Sequence, residues 1–416
     1  MHKSKVAEDW KKLNCFKDLS PRDRLEKLVK MHAGPANNPG SIVKHQEQVQ
    51  EGFFCKEYFY FQQTFFGPVR FSQWREVDPD NLSIVTGDTS CRDINPESIA
   101  FFDTETTGLS GGAGTIPFVL GVGFLEENGF RVKVFVLLDP AAEGEMLAAF
   151  DDFLAVKKFA AVVTYNGRCF DFPLMENRYI LLRRRFPWSN TFHLDFLYAA
   201  RTIWKNTYES RSLSFLGERL LGLSRDEDVP GAQIPALYNL FLRRGDPGLL
   251  TQVIEHNALD LVGLSALLLL ACRYLAEPGL AYDPGEIFGL AVLLEKAGRQ
   301  DRALKVYREL TTAGTSSELK IRIERRHSRL LKSMRLYEEA CAVWRNLGRL
   351  ADPIAWQELS VHYEHRDRDY RQALQVVTEA LSVFSLSESQ REQMEKRLAR
   401  LYKKVKRLEA EDEDKL

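Results

Sequence analysis

Hydrophobic and polar positions predict strands early in the chain and helices after them. Three runs that follow residue 97 are rich in β-branched and aromatic residues, and Gly-rich or Asn-Gly turns separate them: SIAFFDT, PFVLGVGFLE and FRVKVFVLL. This spacing predicts an antiparallel meander. A helical pattern follows at 145–158, then a strand-like AAVVTYN at 160–166, then helical segments over 171–275. Strands followed by helices that cover them predict an α/β or α+β domain over 97–275.

The pattern changes at AEPGLAYDPGE, a Pro/Gly-rich stretch at 276–286 that predicts a linker. Residues 287–385 are helical in pattern throughout. Alanines stand four residues before a bulky side chain in DRALKVY, EEACAVW and RQALQVV, and their spacings of 37 and 33 residues are typical of helix-pair repeats of the tetratricopeptide type. The three alanines are Ala303, Ala340 and Ala373. We expect a C-terminal helix with a solvated basic stretch and acidic tail over 386–416.

The N-terminal part of the chain has a weaker pattern. Residues 1–50 are polar, with AGPANNPGS near their end, and predict a flexible segment. Residues 51–96 are rich in aromatic residues, as in FFCKEYFYF, and predict a short β-rich region of undetermined role.

Composition narrows the class of protein without pointing to a ligand. The 416 residues carry a net charge of −1, so no global attraction to a polyanion is expected. The six cysteines are scattered without zinc-like spacing, which favours reduced thiols and a cytoplasmic location. The most apolar run, Leu261–Cys272, has 12 uncharged residues, too few to span a bilayer. We therefore expect no membrane partner.

Candidate chemistry begins with FFDTETTGL, where Asp103 and Glu105 end an apolar strand. Residues i and i+2 of a strand share a face, so these two carboxylates point together and repel each other unless a cation lies between them. Considered alone, the pair is also explained by a surface loop. Asp171 lies between two phenylalanines after the next buried-type strand, where the simple alternative is a helix N-cap.

A third acidic position lies in VIEHNALDLVGLSALLLL. His256 and Asp260 are four residues apart and therefore share one face of a mostly buried helix. The simple alternative is a histidine that hydrogen-bonds to the aspartate of its own helix. Three other polar stretches have plainer explanations. Asp195 is predicted to cap a helix, RDEDVPG at 225–231 to be a solvated turn, and KIRIERRHSRLLK at 320–332 to be a charged helical face.

Taken together, DTETTGL, YNGRCFDFP and HNALD resemble the three exonuclease motifs of the DEDD superfamily in order and approximate spacing. That superfamily has the RNase-H-like fold and includes 3′–5′ exonucleases and polymerase proofreading domains. The whole arrangement is similar to bacterial YprB-type proteins, which have an RNase-H-like domain followed by tetratricopeptide-like helices. The resemblance implies an α/β RNase-H-like domain with a mixed sheet over 97–275 and an all-α repeat domain behind it.

The resemblance also implies a site. Asp103, Glu105, Asp171 and Asp260 would bind two Mg²⁺ or Mn²⁺ ions, with Asp103 as the bridging ligand. His256 would be the general base, although it stands four residues before Asp260, where the histidine subclass uses five and the tyrosine subclass four. The positions expected to contact the nucleic acid are Thr106, Thr107, Leu109, Asn166, Arg183 and Arg184. Arg183 and Arg184 stand near Phe186 and Trp188, a mixture suited to phosphate contact and base stacking, or to a solvated helix end.

The sequence therefore favours a metal-dependent 3′–5′ exonuclease, with DNA preferred over RNA as substrate. The resemblance suggests a role in DNA repair, with the repeats binding a helicase or another repair protein. Two alternatives stay open: an RNase-H-like scaffold that binds without cutting, and an endonuclease on the same fold. Loss of an acidic ligand would favour the scaffold, and all four acids are present.

Overall fold

A computed structural model describes residues 42–43, 48–50, 52–87, 94–108, 114–225, 228–246, 248–310, 315–350, 352–383 and 386–413. The chain divides into two compact units. The first ends at Ala297 and the second begins at Gly298.

The first unit contains a mixed eight-stranded sheet, and the predicted α/β class is confirmed. In spatial order the strands are β1 (Ile42–Val43), β3 (Phe53–Phe61), β8 (Gly129–Leu137), β7 (Pro117–Glu126), β6 (Ile99–Thr106), β9 (Ala161–Thr164) and β10 (Phe192–Asp195), with β2 (Gln48–Gln50) also paired to β3. Strands β3, β8, β7 and β6 are antiparallel neighbours, whereas β6, β9 and β10 run parallel. A separate small sheet consists of β4 (Phe65–Phe66) and β5 (Val69–Arg70).

Strand β3 of the predicted β-rich region over 51–96 belongs to this sheet, whereas β4 and β5 of the same region form the small separate sheet. Strand β3 alternates buried and partly exposed residues and pairs with β8 along its whole length, because an aromatic face needs a sheet to pack on. Strands β1 and β2 also pair with β3, although the sequence predicted a flexible segment there. Residues 1–41 and 44–47 of that segment lie outside the described residues.

Helices cover both faces of the sheet, because β6 and β7 carry buried residues on both sides. Phe102 of β6 packs against Phe150, with ring centroids 5.9 Å apart, while Phe101 and Asp103 face the opposite side. The helices are α1 (Pro79–Thr86), α2 (Glu143–Lys157), α3 (Asp171–Leu181), α4 (Leu197–Trp204), α5 (Leu213–Leu221), α6 (Ile234–Arg244), α7 (Gly248–Ala276) and α8 (Pro284–Lys296).

Helix α7 is the central helix and contacts β6, β7 and β8. It has 29 residues, far more than the 12-residue apolar run within it. Among the described helices it is the one long and apolar enough to cross a membrane, but 83% of its most apolar window is buried inside the protein. A core helix of a soluble protein has the same properties.

The predicted linker at 276–286 does not separate the two units. Helix α8 begins at Pro284 and packs against α4, and the first unit continues to Ala297. The two helices approach closely at Gly289, where an added Cβ would stand 2.4 Å from the carbonyl oxygen of Ile203. The Pro/Gly-rich sequence marks a turn between packed helices because a helix start, like a linker, favours Pro.

The second unit is helical throughout its described residues, and each helix contacts the next. Ala303, Ala340 and Ala373 are fully buried, consistent with the close helix approach that their spacing predicts. The tetratricopeptide type itself stays a prediction. The helices are α9 (Gln300–Glu309), α10 (Ser317–Ser333), α11 (Tyr337–Arg349), α12 (Pro353–His362), α13 (Tyr370–Val383) and α14 (Glu388–Glu413). Helix α14 packs on α13. In its basic stretch Lys403, Lys406 and Arg407 are exposed, as a solvated end requires, whereas Val405 is buried and Lys404 donates a hydrogen bond to Glu364.

Candidate active site

Strand β6 changes character at its carboxyl end. Its first four residues are buried, whereas Asp103 and Glu105 lie in the half-buried second half and share a face. A register shift between Glu105 and Thr106 ends the regular pairing with β7. The Asp103 side chain faces helix α7, where Nδ2 of Asn257 donates a hydrogen bond of 2.8 Å to Oδ2 of Asp103.

Asn257 is a site residue that the sequence reasoning missed. Its side chain is fully buried, and it reaches Asp103 because Gly121 stands opposite Asp103 on β7. A Cβ at Gly121 would lie only 2.0 Å from Oδ1 of Asn257, so α7 approaches the sheet here over bare backbone. The available signal was a second polar residue on the buried face of α7, inside HNALD.

Asp171 is the first residue of α3 and is buried. It accepts a hydrogen bond of 2.6 Å from Oγ1 of Thr104, the residue between the two acids of β6. The N-cap position of α3 is Phe170, so the simple explanation of Asp171 as a cap is wrong. The structure therefore brings the second acidic motif to the end of β6.

Hydrogen bonds to the Asp195 side chain fix the turn that precedes Asp171. The Asp195 carboxylate accepts the backbone amides of Asn166 at 2.8 Å and Arg168 at 3.2 Å. It also accepts a hydrogen bond from the backbone amide of Leu197 at the start of α4. Asp195 therefore stabilises the turn before Asp171 in addition to its predicted role at the start of a helix. The turn needs Gly167, because a Cβ there would stand 2.4 Å from Oγ1 of Thr164.

His256 connects the third motif to the first. Its Nε2 lies 3.8 Å from Oε1 of Glu105 and 3.6 Å from Oδ2 of Asp260. The four-residue spacing therefore brings the imidazole to the acid of β6. On its other side, Nδ1 lies 2.8 Å from Oδ1 of Asp228.

Arg225 and Asp228 contradict the prediction of a solvated turn at 225–231. Their side chains are only 11% and 8% exposed, and Nη1 of Arg225 donates to Oδ2 of Asp228 at 2.7 Å. Nη2 of Arg225 donates to Oδ1 of Asp260. The sequence did not reveal these partners because charged residues beside Pro and Gly have the composition of an ordinary surface turn.

The acids of the three motifs lie close enough to perturb one another. Burial raises the pKa of Asp103 well above its usual range, and the charges of Asp171, Glu105 and Asp260 raise it further, against the hydrogen bond from Asn257. Burial also raises the pKa of Glu105 to about 8, opposed by His256. The pKa of Asp171 rises to about 6 through burial, opposed by the hydrogen bond from Thr104. The carboxylates therefore lie close together, and the nearby cationic groups do not offset their mutual repulsion.

The histidine side of the site is balanced differently. Burial lowers the pKa of His256, but the hydrogen bond to Asp228 and the charges of Asp260 and Glu105 outweigh it, and the net shift is upward. Burial raises the pKa of Asp228, but His256 and Arg225 lower it overall, so this carboxylate stays ionised. An ionised carboxylate can only accept, so Nδ1 of His256 carries the hydrogen and Nε2 faces the acids.

The positions expected to contact nucleic acid fall into two groups. Thr106 donates to the carbonyl of Gly108, and Thr107 accepts from the amide of Ile116, so both hydroxyls hold the loop that follows β6. Asn166 stands in the turn before Asp171 with φ of 72°. Leu109 lies outside the described residues.

The second group, at 183–188, does not form a stacking surface. Phe186 and Trp188 are each 3% exposed, and Trp188 packs against Phe102, so base stacking there is excluded. Arg184 pairs with Asp151 at 2.9 Å, whereas Arg183 is exposed. Both aromatic residues belong to the core, since both pack against Phe172 and Trp188 also packs against Phe150.

The residues present suit a hard divalent cation in chemistry. Asp103, Glu105, Asp171 and Asp260 offer carboxylate oxygens, the ligands that Mg²⁺ and Mn²⁺ prefer, and their mutual repulsion would be relieved by cations. Within the described part of the chain, no three His, Cys, Asp or Glu side chains stand close enough together to hold a metal ion as placed.

Known protein families and structures resemble the region that contains this candidate site. The model of the RNase_H_2 family, in the RNase_H superfamily, matches residues 100–271, a span that contains all three acidic motifs. The chain is 33% identical over 331 residues to the uncharacterized protein YprB of Bacillus subtilis (strain 168), covering 78% of this chain and 79% of that protein. The chain belongs to the YprB family.

A solved structure that also matches is the family B DNA polymerase of the archaeon Pyrobaculum calidifontis. It is 16% identical with a TM-score of 0.32, and the match covers 50% of this chain and 28% of the polymerase chain. The match of residues 100–271 to the family model, and not the polymerase structure, shows that the first unit has a nuclease-like fold of the RNase H superfamily.

Proposed function

We propose that this protein is a metal-dependent 3′–5′ exonuclease that hydrolyses phosphodiester bonds, with DNA as the preferred substrate. One observation carries the proposal. Asp103, Glu105, Asp171 and Asp260 come from three distant motifs, and contacts through Thr104 and His256 bring them to the end of β6, where their charges act on one another. Folding gains nothing from such an arrangement, because each buried carboxylate raises the cost of ionising the next. Divalent cations and a phosphate substrate explain it.

Asp103, Glu105, Asp171 and Asp260 would hold two Mg²⁺ or Mn²⁺ ions. When bound, such ions lower the pKa of the attacking water and neutralise charge on the phosphate and the leaving oxygen. The protein prepares these ligands in advance: Asn257 orients Asp103, and Thr104 orients Asp171.

His256 is the proposed general base. Asp228 accepts the hydrogen of Nδ1 and leaves Nε2 facing Glu105 and Asp260, so Nε2 is the nitrogen that would accept a proton from water when the imidazole is neutral. The upward shift of its pKa would stabilise the imidazolium that results. Replacing His256 with Gln should lower the rate of hydrolysis roughly 10²-fold or more, the usual contribution of a positioned base.

A degradation time course with end-labelled oligonucleotides tests the proposal. The full chain is incubated with 5′-labelled single-stranded DNA and RNA, with free and blocked 3′ ends, in Mg²⁺, Mn²⁺ or EDTA. A stepwise ladder from free 3′ ends, absent in EDTA, is the expected result. Internal cuts in a 3′-blocked strand would indicate an endonuclease instead. Absence of all cleavage would overturn the proposal.

A catalytically silent scaffold has one observation in its favour, the contact of Arg225 with Asp260. A guanidinium in that place supplies a positive charge without a metal ion. Binding of labelled DNA without cleavage in either metal would establish the scaffold. A role in DNA repair and a helicase or other repair partner for the second unit are further parts of our proposal, which pull-down with purified helicases would test.

A further inference from the structure

Arg225 is the one cationic side chain, other than His256, that the described structure shows in direct contact with the acids of the candidate site. It is 11% exposed, and its two terminal nitrogens contact different carboxylates: Nη1 donates to Asp228 at 2.7 Å, and Nη2 donates to Asp260. Asp228 in turn holds His256. The guanidinium therefore joins a proposed metal ligand to a carboxylate that is not one.

The charges explain why such a residue is useful. In the absence of cations, Asp260 would be a poorly exposed carboxylate beside Asp103 and Glu105, whose charges already oppose one another. One guanidinium on Asp260 relieves part of that repulsion. Asp228 alone suffices to neutralise Arg225, because the two already form a close pair. Arg225 can therefore release Asp260 without becoming a buried unpaired charge.

We propose that Arg225 is a positioning residue that occupies the place of a cation at Asp260 and yields this carboxylate when a divalent ion binds. The inference rests on the proposed metal site and adds an order of events to it. The ion that needs Asp260 competes with Arg225 and binds more weakly than the ion held by the remaining acids. Arg225 then stays on Asp228, which keeps His256 in place.

Mn²⁺ titration of the full-length protein, followed by calorimetry and by the electron paramagnetic resonance signal of free Mn²⁺, tests the proposal without measuring activity. Arg225→Gln should bind the weaker Mn²⁺ ion roughly tenfold more tightly than wild type, within the usual range for coupling between two sites. Its metal-free form should melt at a lower temperature, and saturating Mn²⁺ should raise that temperature by more than in wild type. Unchanged or weaker Mn²⁺ binding by Arg225→Gln would overturn the proposal.

A matched control is available in the same unit. Arg178 is also 11% exposed and pairs with a buried carboxylate, Glu143, which is 7% exposed. Arg178→Gln should lower thermal stability as Arg225→Gln does and leave Mn²⁺ affinity unchanged. Tighter Mn²⁺ binding in the control too would overturn the specific role of Arg225.

Two further variants cover the case in which Arg225→Gln does not fold. Arg225→Lys keeps the charge and should bind Mn²⁺ much as wild type does. Asp228→Asn removes one of the two carboxylates that Arg225 contacts. Asp260 is then the remaining ion-pair partner of Arg225 among the two, so this variant should bind Mn²⁺ more weakly. Tighter binding by Asp228→Asn would contradict the proposal.

Failure of this inference is distinguishable from failure of the proposed function. If wild type binds no Mn²⁺, or binds it no better than Asp103→Asn does, the proposed metal site is overturned and this inference with it. If wild type binds Mn²⁺ through Asp103 and Arg225→Gln binds it no more tightly, only the role of Arg225 is overturned.

Discussion

Glu364 in the second unit and Asp103 in the first unit are acids whose charged surroundings are opposite. In the second unit, the Glu364 side chain has no exposed surface and accepts hydrogen bonds from Arg397, Arg400 and Lys404. Burial raises the pKa of Glu364, but Arg400 and Lys404 outweigh this effect and lower the pKa to about 2. In the first unit, Asp103 has an amide and three other carboxylates around it, and its pKa is raised.

The difference distinguishes a structural acid from the acids of the candidate site. Three cationic side chains of α14 surround the single carboxylate of Glu364. Their hydrogen bonds to its ionised form connect the π-helical turn at Tyr363–Asp367 to α14. Asp103 and Glu105 have more acidic than cationic neighbours, and they form no comparable set of ion pairs between elements. A cluster of poorly exposed acids with raised pKa values and few cationic partners is a candidate functional site.

The strongest test of this contrast is Asp103→Asn. It keeps the shape of the side chain and removes one of the repelling charges, so metal-dependent nuclease activity should fall by roughly 10³-fold or more. The melting temperature of the metal-free protein should stay the same or rise. Full activity in this variant, or a lower melting temperature without metal, would contradict the contrast.

The contact that orients Asp103 is tested by Gly121→Ala. The new methyl group would stand 2.0 Å from Oδ1 of Asn257 and push α7 away from the sheet. We expect a loss of about 3 kcal/mol in the free energy of unfolding, measured by urea denaturation, together with reduced activity. Gly144→Ala is the control, because a Cβ there meets no atom within 4 Å. Equal effects of the two substitutions would refute this explanation of Gly121.

The structural acid is tested by Glu364→Gln. The second unit should lose about 2 kcal/mol of stability, less than a fully buried pair contributes, because Arg400 is half exposed and solvent screens it. Hydrogen exchange of peptides from the second unit would report the loss, while metal-dependent activity at a temperature where both units are folded should not change. A loss of activity without unfolding would show that Glu364 has a functional role.

The smallest expected effect is a difference in the sign of pH dependence. The pKa of Glu105 is raised from 4.5 to about 8, so its folded form keeps a proton that the unfolded chain has lost, and the metal-free first unit should lose stability as pH rises across this window. The pKa of Glu364 is lowered from 4.5 to about 2, so its contribution is full above this window and is lost as pH falls through it.

Urea denaturation followed by hydrogen exchange, corrected for intrinsic exchange rates and analysed for each unit, would measure both slopes. Saturating Mg²⁺ should abolish the slope of the first unit only. Slopes of the same sign in the two units would contradict the assignment.

Much of the fold was predictable because its signals are local. The meander of β6, β7 and β8 followed from apolar runs bounded by turns, and the helical second unit from the spacing of its alanines. Pairing of β3 with β8 was not predictable, because the local pattern of residues 51–96 indicates a strand but not the distant strand with which it pairs. The boundary at Ala297 was missed because Pro and Gly mark both linkers and helix starts.

The sequence by itself determined which acids were candidates, since the i, i+2 and i, i+4 spacings alone place Asp103 beside Glu105 and His256 beside Asp260. Only the tertiary structure decided what surrounds them. Asn257 reaches Asp103 across the bare backbone of Gly121, and a turn of ordinary surface composition carries Arg225 and Asp228 into the site. These contacts join residues distant in sequence, and the local pattern of a chain contains no information about which distant charges will meet.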